Sequence, residues 1–168
     1  MKSSKVLALL ALGSAMLFAS AVPAAAAGAR VVTNRAPLSD LAPATADGTD
    51  GAAGFALGVV RDDRTTVLLV TTALTDPGAT HGAHVHTGPC IAGNGAAAGP
   101  HYNHGGGISA STEVWLDFEV RGSTGVAVAN VPFAIPEGGA RSIVIHAAPT
   151  DPTTGAAGAR LACLPLEF

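Results

Sequence analysis

The stretch HGAHVHTGPC, residues 81 to 90, gathers three of the chain's six histidines and one of its two cysteines. His84 and His86 are two apart, and alternate residues of a β-strand share a face. Two imidazoles set side by side in that way can act as two ligands of one ion. His81 belongs to the opposite face and reads as a packing or hydrogen-bonding residue. Three more histidines follow: His101 and His104 in GPHYNHGGG, and His146 closing SIVIH. Each has an ordinary explanation when taken singly: a polar strand face, a solvated loop residue, a hydrogen-bonded core residue at a strand end. Together they supply a pair on a strand, one in a loop fixed by glycine and proline, and one at a distant strand end. Imidazole nitrogens suit copper and zinc, so the chemistry indicated is that of a metal centre.

The elements that must position these residues are strands. No stretch beyond the first 27 residues holds a helical period. Short β-branched and apolar runs alternate instead with Gly, Pro and Asp. GFALGVV (54–60) and RTTVLLVTTAL (64–74) flank Asp62 and Asp63 and read as a hairpin. AHVHT (83–87), EVWLDFEV (113–120), VAVANVPF (126–133), SIVIHAA (142–148) and RLACLPLEF (160–168) read as further strands. GSTG (122–125), PEGG (136–139) and PTDPTTG (149–155) supply turns between them. Such spacing predicts an all-β sandwich or barrel. In EVWLDFEV, Val114, Leu116, Phe118 and Val120 fall on one face, with Glu113, Trp115, Asp117 and Glu119 on the other. Residues 35–53 are rich in Ala, Pro, Gly and Asp and carry no period, so residues 28–53 read as a flexible N-terminal segment before a domain over 54–168. Residues 91–107 form a long glycine-rich loop, and loops of that length in a compact domain are usually functional.

Lys2 and Lys5, the apolar run VLALLALGSAMLFASAV (6–22) and the small residues Ala25–Ala27 follow the pattern of a secretory signal peptide over residues 1–27. The run is short for a spanning helix, so no stable membrane insertion is expected after cleavage. No cysteine lies near the cleavage site to carry a lipid. The expected location is secreted, extracellular or in the cell envelope. From Gly28 the chain keeps seven arginines, no lysine and twelve acids, and 7 − 12 gives a net charge of −5. That balance argues against nucleic acid and against anionic membranes as partners. Cys90 and Cys163 are most simply one disulfide in an oxidising compartment, and they lack the C-x-x-C spacing of redox thiols.

HGAHVH, GPHYN, SIVIHAAPTD and GARLAC, in that order, resemble the copper/zinc superoxide dismutases over residues 54–168. The resemblance implies a Greek-key β-barrel and a set of roles. His84, His86, His101 and His146 would be the copper ligands, with His101 also releasing copper and taking up a proton during turnover. Arg160 would line the mouth and dock the superoxide anion. Cys90 and Cys163 would form the family's intrasubunit disulfide. The zinc-binding stretch is reduced to HGGGISASTEVWLD, which offers His104 and no second histidine. Only thirteen residues separate His146 from Arg160, which shortens the electrostatic loop too. Two shortened loops resemble the family's copper-only members, and zinc through His101 and His104 would fall short of its usual ligand count. Without zinc, Glu113 or His104 would hold the far side of the His101 ring. Asp117, in a strand, is not expected to be a ligand. The implied function is an exported copper-dependent superoxide dismutase. The alternative is a non-catalytic extracellular copper-binding protein on the same scaffold. No oligomeric state follows from the sequence.

Overall fold

The computed structural model describes residues 28–168, and the signal peptide expected over 1–27 lies outside the described residues. The fold is all-β and antiparallel. Its strands are β1 (Arg30–Pro37), β2 (Ser39–Asp40), β3 (Ala53–Arg61), β4 (Arg64–Thr72), β5 (Thr80–His81), β6 (Ala83–His86), β7 (Phe118–Glu119), β8 (Thr124–Val131), β9 (Ser142–His146) and β10 (Arg160–Pro165). Two four-stranded sheets, ordered β1-β3-β4-β8 and β2-β10-β9-β6, are joined by a small β5-β7 pair. Among the described residues no helix is long and apolar enough to cross a membrane.

The β3–β4 hairpin forms where the sequence places it, with Arg61 opposite Arg64 and Asp62 in the left-handed region at φ 54°. An aspartate tolerates that conformation because its short side chain bonds locally. Period-two burial along β3 and β4 turns Ala56, Val67 and Leu69 inward. They meet Ala83, Val85, Ile143, Ile145, Ala162 and Leu164 from the second sheet in one apolar core. Val114, Leu116, Phe118 and Val120 complete that core, so the alternation read in EVWLDFEV holds. The continuous strand expected there does not. Only Phe118–Glu119 forms a paired strand, because the segment's remaining backbone bonds go to scattered partners, such as Glu113 N–H to Ser109 and Leu116 N–H to Ala83.

Within residues 28–53, expected as a flexible segment, Arg30–Pro37 instead forms β1, which pairs along its whole length with β3 from Arg30–Val60 to Pro37–Ala53. Its alternation turns Val32 and Ala36 inward, where they pack against the core. Beyond it, Ser39 and Asp40 pair with Cys163 and Ala162 of β10.

In the second sheet the odd-numbered positions of β6 and β9 face the core. His84, His86 and His146 therefore point away from it, beneath the loops spanning 87–116 and 147–159. A smaller apolar cluster of Leu41, Ala98, Val144, Cys163 and Cys90 packs on this same side. The Cys90–Cys163 disulfide runs through it and closes 73 positions of chain. The bond fits an oxidising, extracellular setting.

Candidate metal centre

β6 lies between β9 and an irregular segment whose bridges set His84 beside Trp115 and His86 beside His101. His84 and His86 come from β6 itself, and His146 ends the neighbouring β9. A β-bulge in β10 sets Arg160 opposite His146, while Ala162 pairs with Ile145. Bulges re-aim side chains next to sites, and this one carries Arg160 to the rim. One ring nitrogen from each of His84, His86, His101 and His146 lies within 4.8 Å of the others. These four, read separately along the sequence, meet at one point.

A proton inventory fixes which nitrogens face that point. Thr150 Oγ1 donates its single proton to Asp117 Oδ1 at 2.6 Å and must therefore accept from His84 Nε2–H at 2.7 Å. Nδ1 of His84 is then left with a bare lone pair, and it is buried with no protein partner. His86 donates from Nδ1 to the Gly99 carbonyl at 3.0 Å, leaving Nε2 bare. His101 donates from Nδ1 to Glu113 Oε2 at 2.8 Å, and His146 from Nδ1 to the Gly158 carbonyl at 3.3 Å. Nε2 of each is likewise free. His146 Nε2 faces His86 Nε2 at 3.4 Å, two acceptors with no proton to share between them. Four lone pairs converge, and one of them, on His84 Nδ1, is buried without a partner, so the donor set fits a bound metal ion.

The rings are also kept neutral. Burial, reinforced by the other histidines and Arg160, holds His84 down at about 2. Burial likewise lowers His86 to about 3, against its bond to the Gly99 carbonyl, which raises it, and His146 to about 4, against its bond to the Gly158 carbonyl. A neutral imidazole is the form that ligates metal, so burial prepares the site.

Around the four histidines sit partners that hold them. Glu113 accepts from His101, from Trp115 Nε1 at 2.9 Å and from Asn103 Nδ2 at 3.0 Å. Burial pushes its carboxyl upward, but the bonds from Trp115, Asn103 and His101 outweigh that and hold it below its usual value. Asp117 is no ligand. It receives the backbone N–H of Thr150 at 2.8 Å, and that of Ala83 at 3.4 Å, as well as the Thr150 hydroxyl. His104 neither joins the cluster nor holds His101; it is exposed and stacks on Phe133 at 4.7 Å. His81 behaves as its strand position implies, buried between the His146 carbonyl and Asp76.

The sequence contained no flag for Thr150, Trp115, Asn103 or Gly99. Their roles depend on which backbone lies across from them, and that is set by loop geometry rather than by local pattern. No protein-family model matches the chain, and no curated protein matches it.

Arg160 completes the opening. Its Nη1 donates to the Gly95 carbonyl at 2.6 Å and its Nη2 to Gly99 at 2.7 Å, which fixes the guanidinium against the 87–99 loop. Gly95, Ala96, Gly99, Pro100 and Arg160 line a hollow of about 680 Å³ open to solvent. The His101 side chain is 19% exposed while His84, His86 and His146 are buried, so the cluster opens on the His101 side.

Proposed function

We propose that this protein is an exported copper-dependent superoxide dismutase, converting superoxide to dioxygen and hydrogen peroxide. The observation that carries the reading is the set of four unprotonated ring nitrogens converging on one point, open on the His101 side. The two antiparallel sheets and their crossing connections support a Greek-key fold of the superoxide dismutase type, with short zinc-side and electrostatic loops. Copper is favoured because an all-imidazole, thiolate-free donor set suits it. Zinc beside it is disfavoured because Glu113 occupies the one remaining nitrogen of His101.

Bound copper would supply one-electron chemistry, taking an electron from one superoxide and giving it to a second. The protein's part is to hold and to guide. His84 through Nδ1, and His86, His101 and His146 through Nε2, would fix the ion. Glu113 anchors His101 through Nδ1–H, so Nε2 of that ring can take up and return a proton without the ring leaving its place. Arg160 presents a fixed cation and spare N–H donors at the mouth, suited to drawing in a small anion. The two tethers to backbone carbonyls hold it there.

The decisive experiment loads the protein with copper, counts bound metals by elemental analysis and follows superoxide decay. One copper per chain with fast decay supports the enzyme. One copper without decay would leave a copper-binding protein on this scaffold. Failure to hold copper would end the proposal.

A further inference from the structure

The segment 113–117 is stitched to β6 by its backbone: Val85 N–H donates to the Val114 carbonyl at 3.3 Å and Leu116 N–H to that of Ala83 at 2.7 Å. Val114 and Leu116 turn into the core. Glu113 and Asp117, four positions apart, fall on the opposite face, on the side of His84 and His101. Each carboxylate governs one ring. Glu113 does so by direct contact with His101 Nδ1–H. Asp117 acts at one remove, through the Thr150 hydroxyl, which lies 2.6 Å from Asp117 Oδ1 and 2.7 Å from His84 Nε2.

A hydroxyl owns one proton, and a carboxylate owns none. The direction of both bonds is therefore set at Asp117. Because Oδ1 can only accept, the Thr150 proton points to it. The Thr150 lone pair then faces His84 and selects the ring with its proton on Nε2. Nδ1 is left open toward the other three histidines. Two backbone donors orient the carboxylate itself: Thr150 N–H on Oδ2 at 2.8 Å and Ala83 N–H on Oδ1 at 3.4 Å. We infer that Asp117 is a positioning residue of the metal centre, which fixes the His84 proton on Nε2 across the Thr150 hydroxyl and so keeps Nδ1 free for the ion. This rests on reading the four histidines as a metal centre and is independent of superoxide turnover.

The arrangement has a polarity that a simple loop anchor lacks. In Asp117→Asn the amide oxygen stays opposite the Thr150 N–H, because an NH2 group there would set two donors 2.8 Å apart. The Ala83 N–H, at 3.4 Å, makes the weaker claim on the oxygen. The NH2 group therefore takes the place of Oδ1 and donates to the Thr150 hydroxyl. That hydroxyl turns its own proton to His84 Nε2, and the ring proton moves to Nδ1, the nitrogen aimed at the ion. Asp117→Ala acts differently. Position 117 is exposed beside an open hollow, so water takes the vacated place and Thr150 goes on accepting from His84. Asparagine, the closer match in shape, is thus the more damaging replacement, as expected when an amide forces the wrong tautomer on a histidine.

Nitrogen NMR of the metal-free protein with isotope-labelled histidine reads the ring proton directly. At neutral pH the parent should carry the His84 proton on Nε2, Asp117→Ala should keep that pattern, and Asp117→Asn should show it on Nδ1. Competition with a chelator should find copper affinity lowered by about 100-fold in Asp117→Asn and by less than about 10-fold in Asp117→Ala. Adding Thr150→Val to Asp117→Asn removes the misdirected donor and should raise affinity above that of Asp117→Asn alone, a gain that two independent losses would not give. A parent His84 protonated on Nδ1 overturns the inference, and that measurement needs no variant to fold. So does an Asp117→Asn protein that keeps the proton on Nε2, or that binds copper as well as Asp117→Ala does, as loop anchoring alone would allow. A parent with the proton on Nε2 that holds no copper would end the proposed function, while a switch to Nδ1 in Asp117→Asn would still uphold the control that Asp117 exerts on the ring.

Discussion

Thr150 decides which nitrogen of His84 can bind a metal, although it touches no metal itself. Its hydroxyl gives its proton to Asp117 and accepts from His84, so His84 is held as the Nε2–H tautomer. Thr150→Val keeps the shape and removes the acceptor. Copper affinity should fall by about 10- to 100-fold, and Thr150→Ser should restore it, as competition with a chelator will show. Arg160→Ala should slow superoxide decay and flatten its dependence on salt while copper content stays at the parent level; full activity in that variant would remove the docking role. The buried histidines also set a pH dependence. In the unfolded chain they take up protons near 6.5, but His84, His86 and His146 resist protonation down to about 2, 3 and 4 in the fold. The unfolded state therefore binds more protons across that window, and stability of the metal-free protein falls as pH drops below about 6.5. Its melting temperature should decline clearly between neutral pH and pH 5, and a flat profile would contradict the neutral-ring assignment. At this scale the cluster was legible in part: strand parity set His84 beside His86, while His101 and His146 joined them through the resemblance carried by GPHYN and SIVIHAAPTD. The residues that orient them were not, since a threonine in PTDPTTG looks like any turn residue.

The loops that carry the carbonyl tethers are shaped by glycine. Gly99 sits at φ 68°, and a Cβ there would meet Thr87 Oγ1 at 2.8 Å. Its carbonyl holds both His86 and Arg160. Gly99→Ala should cost about 1–3 kcal/mol in denaturant unfolding and weaken copper binding with it. Gly82 works by proximity: a Cβ would meet Ala157 Cβ at 2.7 Å and Thr150 Oγ1 at 2.8 Å, so its absence lets the 147–159 loop lie against β6. The hairpin of β3 and β4 could be read in advance because apolar alternation and an Asp-Asp turn agree. β1 was obscured for the opposite reason. VVTN precedes an Ala-, Pro- and Gly-rich stretch, and its ladder is a backbone property that composition does not record. Segment 91–107 likewise reads as structureless, yet Asn94 caps a 3-10 turn over Gly95–Ala98 that aims the Gly95 and Gly99 carbonyls.

For the molecule as a whole, the disulfide links the loop beneath Arg160 to the last strand of the second sheet. Closing 73 positions is worth about 4 kcal/mol in the chain-entropy view. Cys90→Ala with Cys163→Ala should lower unfolding free energy by about that much. It should also loosen the 87–99 loop, which amide hydrogen exchange at Gly95 to Gly99 would register. One feature ties these scales together, the single carbonyl of Gly99 that receives both a ligand histidine and the rim arginine. Because both lean on the same pivot, metal retention and anion capture would, under the proposed function, not be independent traits. In a library of variants the two would rise and fall in step, and a screen for faster catalysts would enrich tighter copper holders unasked.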